Sequence, residues 1–141
     1  MIVTEVHRDK DLVAELILER QQIVAIYQNE SEWGPRALGN RSILFDPSNI
    51  EAKDIVNSVK KREHYRPFAC TIMEEYAHEY VEMHQLKSSP YMSFAFQCKE
   101  KARDEIPALV HMDNTCRIQT VNREQNKNYY DLIEAMYKIN G

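Results

Sequence analysis

The sequence predicts an α/β fold, and three observations predict it. Short apolar and β-branched runs of strand length recur at 23–27, 68–73, 91–98 and 116–121. Segments with apolar residues at helical spacing alternate with them and close on the most regular one, at 126–140. A hydrophobic content of 43% and a charged content of 28% belong to a globular chain, and 141 residues are enough to bury a core as one domain.

Taken in order, Asp9 or Asp11 can cap a first helix reaching about residue 21, with Leu12, Val13, Leu16 and Ile17 on one face. The run at 23–27 reads as a buried strand. A glycine- and arginine-rich turn follows, then a short strand at 42–45 and a turn at Asp46-Pro47-Ser48. Ser48 or Asn49 can cap a second helix, whose Ile50, Ile55, Val56 and Val59 form a rough apolar stripe. Pro67 stops that helix, because the residue before a proline is pushed towards extended backbone. Residues 68–73 then read as strand and 74–83 as helix. Residues 91–98 alternate as a strand does. The charge-dense 99–105 reads as a solvated turn or short helix. Two strands, at 109–112 and 116–121, enclose a loop of Asp113, Asn114 and Thr115. The closing helix sets Tyr129, Leu132, Ile133, Met136 and Tyr137 on one face, with Gly141 where a terminating glycine belongs. Tyr76, Tyr80, Tyr129 and Tyr137 read as core-facing.

The net charge of −4 opposes bulk attraction to nucleic acid or to an anionic membrane, so an anion site here is a local patch. No apolar run approaches the roughly 18 residues that span a bilayer. The opening MIVTEVHRDKDL holds no apolar signal core. Cys70, Cys98 and Cys116 are odd in number and widely spaced, which reads as reduced thiols in a cytoplasmic protein.

Two of the three glycines fall in one stretch, Trp33-Gly34-Pro35-Arg36-Ala37-Leu38-Gly39-Asn40-Arg41-Ser42. A tight turn carrying two guanidinium forks and a hydroxyl reads as an anion site; the plainer reading is a turn whose arginines are solvated. A second basic cluster holds Lys60, Lys61, Arg62 and Arg66. Lys60 and Arg62 share a side only if the helix has given way to extended chain; otherwise these cations complement a helix C-terminus. Arg117 and Gln119 point the same way on a strand, while Cys116 and Ile118 face the core. Arg117 there meets an acid or an anion. Met92 reads as a core or pocket-wall residue. His111, Asp113 and Cys116 match no strong zinc spacing, so a hydrogen-bonded histidine is expected and no metal site is assigned.

Four segments resemble one family in the right order. GPRALGNRSIL resembles the hallmark of the carbamoyltransferases of the nodulation, cephamycin and tobramycin O-carbamoyltransferase type, where it lies in a C-terminal, YrdC-like domain. VNSVKKREHYRPFACTIMEE, SPYMSF and IPALVHMDNTCRIQTVNREQNKNYYDLI resemble three further segments of that family. The sequence departs at Lys61, where the family has an apolar residue, at Cys70 in place of a proline, and at Asn114 in place of a glycine. Asn tolerates left-handed backbone, so that loop is expected to survive.

The resemblance implies a YrdC-like fold: a twisted, mixed, open sheet flanked by helices, with a basic concave face. It implies that 1–141 is one C-terminal domain without the family's N-terminal catalytic domain. It also implies that the domain is incomplete at its C-terminal end, where the family continues with a strand and a Leu-Asn-Thr-Ser-Phe-Asn segment. An exposed sheet edge or apolar groove is expected there, and a homodimer is one way to cover it.

The implied chemistry uses ATP, with Mg2+, and carbamoyl phosphate to make carbamoyl-adenylate, for transfer to a small-molecule hydroxyl by the N-terminal domain. The family's own metal site belongs to that domain. Lys60 and Arg66 match the positions that hold carbamoyl phosphate and the developing adenylate. Arg36 and Arg117 match positions for the nucleotide phosphates, and Met92 the nucleotide wall. Arg41, Ser42 and Arg62 complete the binding set. Arg36, Lys60, Arg66 and Arg117 are expected to converge on one concavity. Two other readings stand beside this one: an RNA-binding or tRNA-modification-related module, and a nucleotide sensor without turnover. Against RNA stand the acidic balance and the lack of aromatics among the basic residues.

Overall fold

The structure, a computed structural model, describes residues 9–140. Gly141, expected as a helix terminator, lies outside the described residues, as does most of the opening segment. Helix α1 (Lys10–Leu18) starts where the Asp9 side chain accepts from the amides of Asp11 and Leu12. Strands β1 (Val24–Ala25) and β2 (Ile43–Leu44) form a two-stranded antiparallel sheet. Helix α2 (Ala52–Val59) leads to β3 (Ala69–Met73), then a 3₁₀ turn (Glu74–Tyr76) and α3 (Ala77–Tyr80). Strand β4 (Ala95–Gln97), α4 (Glu100–Glu105) and a second 3₁₀ turn (Pro107–Leu109) precede β5 (Thr115–Val121) and α5 (Arg123–Asn140).

The second sheet has the order β3-β5-β4, with β3 parallel and β4 antiparallel to the central β5. It is mixed and flanked by helices, as an α/β fold requires. Register sets Ala69 beside Arg117 and Cys70 beside Ile118. Alternation therefore sends Cys70, Ile72, Cys116 and Ile118 to one face, where they pack with Ala77 of α3 and Ala102 of α4. Met73 and Val121 face the other way, against Tyr129 and Tyr130 of α5. Helix α1 docks on α5 through Ala14, Leu132 and Ala135. Strand β3 is an edge strand, and an apolar groove of about 320 Å³ runs beside it, lined by Ile72, Met73, Tyr76, Ile133 and Met136 among others.

Several expectations are corrected. Residues 23–27 do not make a buried strand: β1 has two residues, Ala25 is exposed and Tyr27 is 84% exposed. Ser48 does not cap α2. Asn49 does the capping, its Oδ1 accepting from the Glu51 amide and its carbonyl from the Ala52 amide, both at 2.9 Å, in the turn that leads into the helix. Ile50 and Val59 are exposed, and Val56 alone of the four stripe residues is buried. The strand expected at 109–112 does not form: the 3₁₀ turn that Pro107 opens ends at Leu109, and residues 110–112 join no ladder. The strand expected from 91 begins only at Ala95. The helix expected over 74–83 stops at Tyr80, and Val81 pairs with Cys98.

Candidate anion-binding site

Helix α2 ends in a reversal. Lys61 takes a left-handed conformation (φ 50), its amide bonds to the Ser58 carbonyl at 3.1 Å, and the Arg62 amide reaches back to Asn57 at 3.1 Å. This is the paired closure usually built around a glycine, here with a lysine in the left-handed position. Asn57 is fully buried and holds the returning chain, its Nδ2 donating to the carbonyls of His64 and Arg66 while its Oδ1 accepts from Arg62 Nε. The Arg62 guanidinium lies over the Phe68 ring, 4.3 Å from its centre. Lys60 and Arg62 thus reach the same side through a left-handed turn and not through extended chain.

The glycine–arginine turn closes from the opposite direction. Gly39 (φ 112) packs so tightly on Tyr129 that a Cβ there would lie 2.2 Å from the ring. Its amide donates to Ser42 Oγ at 2.9 Å. Gln119 Nε2 donates to the Leu38 carbonyl at 2.9 Å, and Tyr129 Oη donates to Thr71 Oγ1, also at 2.9 Å. The turn is therefore fastened to both β5 and α5.

Between these two turns lies a cleft of about 320 Å³, within the range of small-molecule sites. Arg36, Ser42, Lys60, Arg62, Met92 and Arg117 all line it. Lys53 does too, a residue the sequence reading missed, although it stands seven positions before Lys60 on the same helix face. Arg36, Lys53, Lys60, Arg62 and Arg117 make no ion pair among the described residues. Arg117 Nε is buried with no hydrogen-bond partner. Burial, then the neighbouring Arg36, depress the Arg117 pKa; burial and Arg62 do the same to Lys60. Burial, then Arg66, lower that of Arg62. Like charges gathered without an ion-pair partner raise the local potential and favour a polyanion.

Two of the expected residues stand elsewhere. Arg41 is stacked 3.8 Å over the Tyr27 ring, and its Nη1 donates to the carbonyls of Gln28 (2.6 Å) and Asn40 (2.8 Å). Its fork is spent on the chain. Arg66 does not join Arg36, Lys60 and Arg117 along the cleft; its Nε pairs with Glu63 at 2.7 Å, because the turn at 63–66 brings the two together at the surface. Met92 lines the cleft from a left-handed loop position (φ 55) and not from a strand, a conformation that costs a side chain about 1–3 kcal/mol. His111 is hydrogen-bonded, to Thr115 Oγ1 and the Phe68 carbonyl, and Asn114 takes the left-handed conformation (φ 61) that its side chain tolerates.

Comparison with known proteins places this geometry. The family described as carbamoyltransferase C-terminus matches residues 14–141. The chain belongs to the carbamoyltransferase C-terminus family. It is 45% identical to the nodulation protein NolNO of Sinorhizobium fredii over 84% of this chain and 18% of that protein. To the nodulation protein NolO of Bradyrhizobium diazoefficiens it is 46% identical, over 82% of this chain and 22% of that protein. An uncharacterized protein of Methanocaldococcus jannaschii is 39% identical over 93% of this chain and 21% of its own length. The chain spans about a fifth of the length of these relatives.

Among the described residues no cluster of oxygen ligands is built for a magnesium ion. Asp46 is the one carboxylate lining the cleft among the described residues, and its oxygens accept from Gln21 Nε2, the Ser48 amide and Ser48 Oγ. No three metal-ligating side chains converge among the described residues. Nor is any helix there long and apolar enough to cross a membrane.

Proposed function

We propose that the cleft binds ATP and carbamoyl phosphate, and that this chain is the part of an O-carbamoyltransferase that makes carbamoyl-adenylate for transfer to a small-molecule hydroxyl by an N-terminal domain of the longer protein. The observation that carries the reading is the group of five cleft cations that make no ion pair among the described residues, one with an orphaned buried nitrogen. Both substrates are polyanions. Water cleaves carbamoyl phosphate to carbamate and orthophosphate; the carbamate oxygen then bonds to the α-phosphorus of ATP as the bond to pyrophosphate breaks, and the enzyme's task is to position the groups and neutralise charge. Arg36 and Arg117, close enough to repel one another, are suited to the nucleotide phosphates. Lys53 of α2 and Lys60, which follows that helix, face the carbamoyl phosphate and the developing adenylate. Arg62, held flat by Asn57 and Phe68, offers a fixed fork, and Met92 makes the soft wall beside the base. Arg66 is paired with Glu63 beside this site and leaves the phosphate contacts to the cleft cations.

Pyrophosphate release, followed in the full-length protein supplied with ATP, carbamoyl phosphate and magnesium, tests the reading. Release that needs both substrates and falls at least tenfold in Lys60→Ala is expected. Release independent of carbamoyl phosphate overturns the adenylate assignment. The 141-residue chain alone is expected to carbamoylate no hydroxyl.

A further inference from the structure

The loop that carries Arg36 is shaped by a residue outside the cleft. Glu32 Oε1 accepts from the amides of Leu38 and Asn40, both at 2.9 Å, and Oε2 accepts from the Arg41 amide at 3.3 Å. Hydrogen bonds to an ionised carboxylate are about twice as strong as neutral ones, and three of them close the base of the loop at 33–37. The tip has little else to hold it. Trp33 is fully exposed, nothing lies within 4 Å of a Cβ built on Gly34, and Arg36 makes one weak 3.4 Å contact with the carbonyl of its neighbour Pro35. Arg36 also sits near the like charge of Arg117, which offers it no partner.

The chemistry of Glu32 could have run the other way. An acid four positions from one arginine and nine from another is the obvious ion-pair partner for either. Both of its oxygens are instead held by backbone amides, and Arg36 remains unpaired among the described residues.

We infer that Glu32 is a positioning residue: by gripping the Leu38, Asn40 and Arg41 amides it fixes Arg36 at the cleft and leaves that guanidinium free for a phosphate-bearing ligand. The grip stands on the hydrogen bonds alone; the ligand half rests on the anion-binding reading above.

A double-mutant cycle in the full chain, with ATP as the probe, tests it together with amide exchange. Glu32→Gln is expected to weaken ATP binding about tenfold. In an Arg36→Ala background it is expected to add almost nothing, and in a Lys60→Ala background to add its full effect. The amides of Leu38, Asn40 and Arg41 are expected to exchange faster in Glu32→Gln while those of β3 and β5 keep their protection. Equal losses in both backgrounds mean that Glu32 acts on the fold as a whole and overturn the inference. Unchanged exchange at the three amides overturns the grip. Wild-type chain that binds no ATP overturns the anion-binding reading and the ligand half with it, while exchange still decides the grip. Should Glu32→Gln unfold the chain, Glu32→Asp, which keeps the charge but shortens the reach, carries the same cycle.

Discussion

Arg117 occupies the middle strand of a sheet and has no carboxylate against it among the described residues. Its register beside Ala69 leaves room for the guanidinium, and its buried Nε has no partner. A charge-assisted contact from such a group contributes about 1.5–3 kcal/mol, so Arg117→Ala is expected to weaken ATP binding about tenfold to a hundredfold by calorimetry, against less than about threefold for Arg66→Ala, whose charge is already paired with Glu63. Equal losses would move the phosphates towards Arg66. Gly39 makes a second case at this scale. Gly39→Ala brings both the strain of a positive φ, about 1–3 kcal/mol, and a collision with the Tyr129 ring costing about as much again. Gly34→Ala brings the strain alone, so chemical denaturation is expected to rank Gly39→Ala as the more damaging. The alternation that pairs Arg117 with Gln119, and the unusual glycine–arginine turn, were legible in the sequence. Glu32 and Asn57 were not, because nothing in their spacing shows that a carboxylate will meet three amides or that an amide will brace a turn.

Elements followed the sequence where their pattern was long and regular. The Asp9 cap, β3, β5 and the closing helix all lie close to where periodicity and capping residues set them. Short apolar runs misled, since 23–27 and 109–112 are strand-like in composition but are settled by context: one forms only a two-residue ladder, the other follows a proline into a 3₁₀ turn. Lys61 shows the same limit, for a lysine gives no warning that it will take the left-handed place of a glycine. The contact between α1 and α5 yields a prediction. Asp131 of α5 pairs with Lys10 of α1 at 2.9 Å, with Lys127 at 2.6 Å and with Arg123 at 3.0 Å. Lys127 and then Lys10 lower its pKa to about 2. A carboxyl depressed on folding stabilises above its unfolded pKa, about 3.9, and that stability is lost as pH falls through the folded value. Urea denaturation is expected to show Asp131→Asn less stable than wild type near neutral pH, with the gap closing between about pH 4 and pH 2. A gap that does not change with pH would mean the pairs contribute no net stability.

At the scale of the molecule, a three-stranded mixed sheet carries one apolar core on its α3–α4 face, while its other face, together with the two-stranded sheet and α2, encloses a cleft whose cations make no ion pair among the described residues. The sequence marked six of the cleft residues through four segments lying far apart along the chain, and only the fold could show that Arg41 and Arg66 turn away from them. A ligand that binds the folded state alone raises its stability, by about 2.7 kcal/mol at a hundred times the dissociation constant, so ATP is expected to raise the melting temperature of wild type and to do so far less for Arg117→Ala. The most direct measurement is a titration of ATP into isotopically labelled chain, followed through the arginine Nε–H and methionine methyl signals. The Arg36, Arg62, Arg117 and Met92 signals are expected to move together with one saturating affinity, while Arg41 and the Asp131-paired Arg123 stay still. Movement confined to Arg41 or to surface arginines, or no saturable movement at the cleft, would contradict the account.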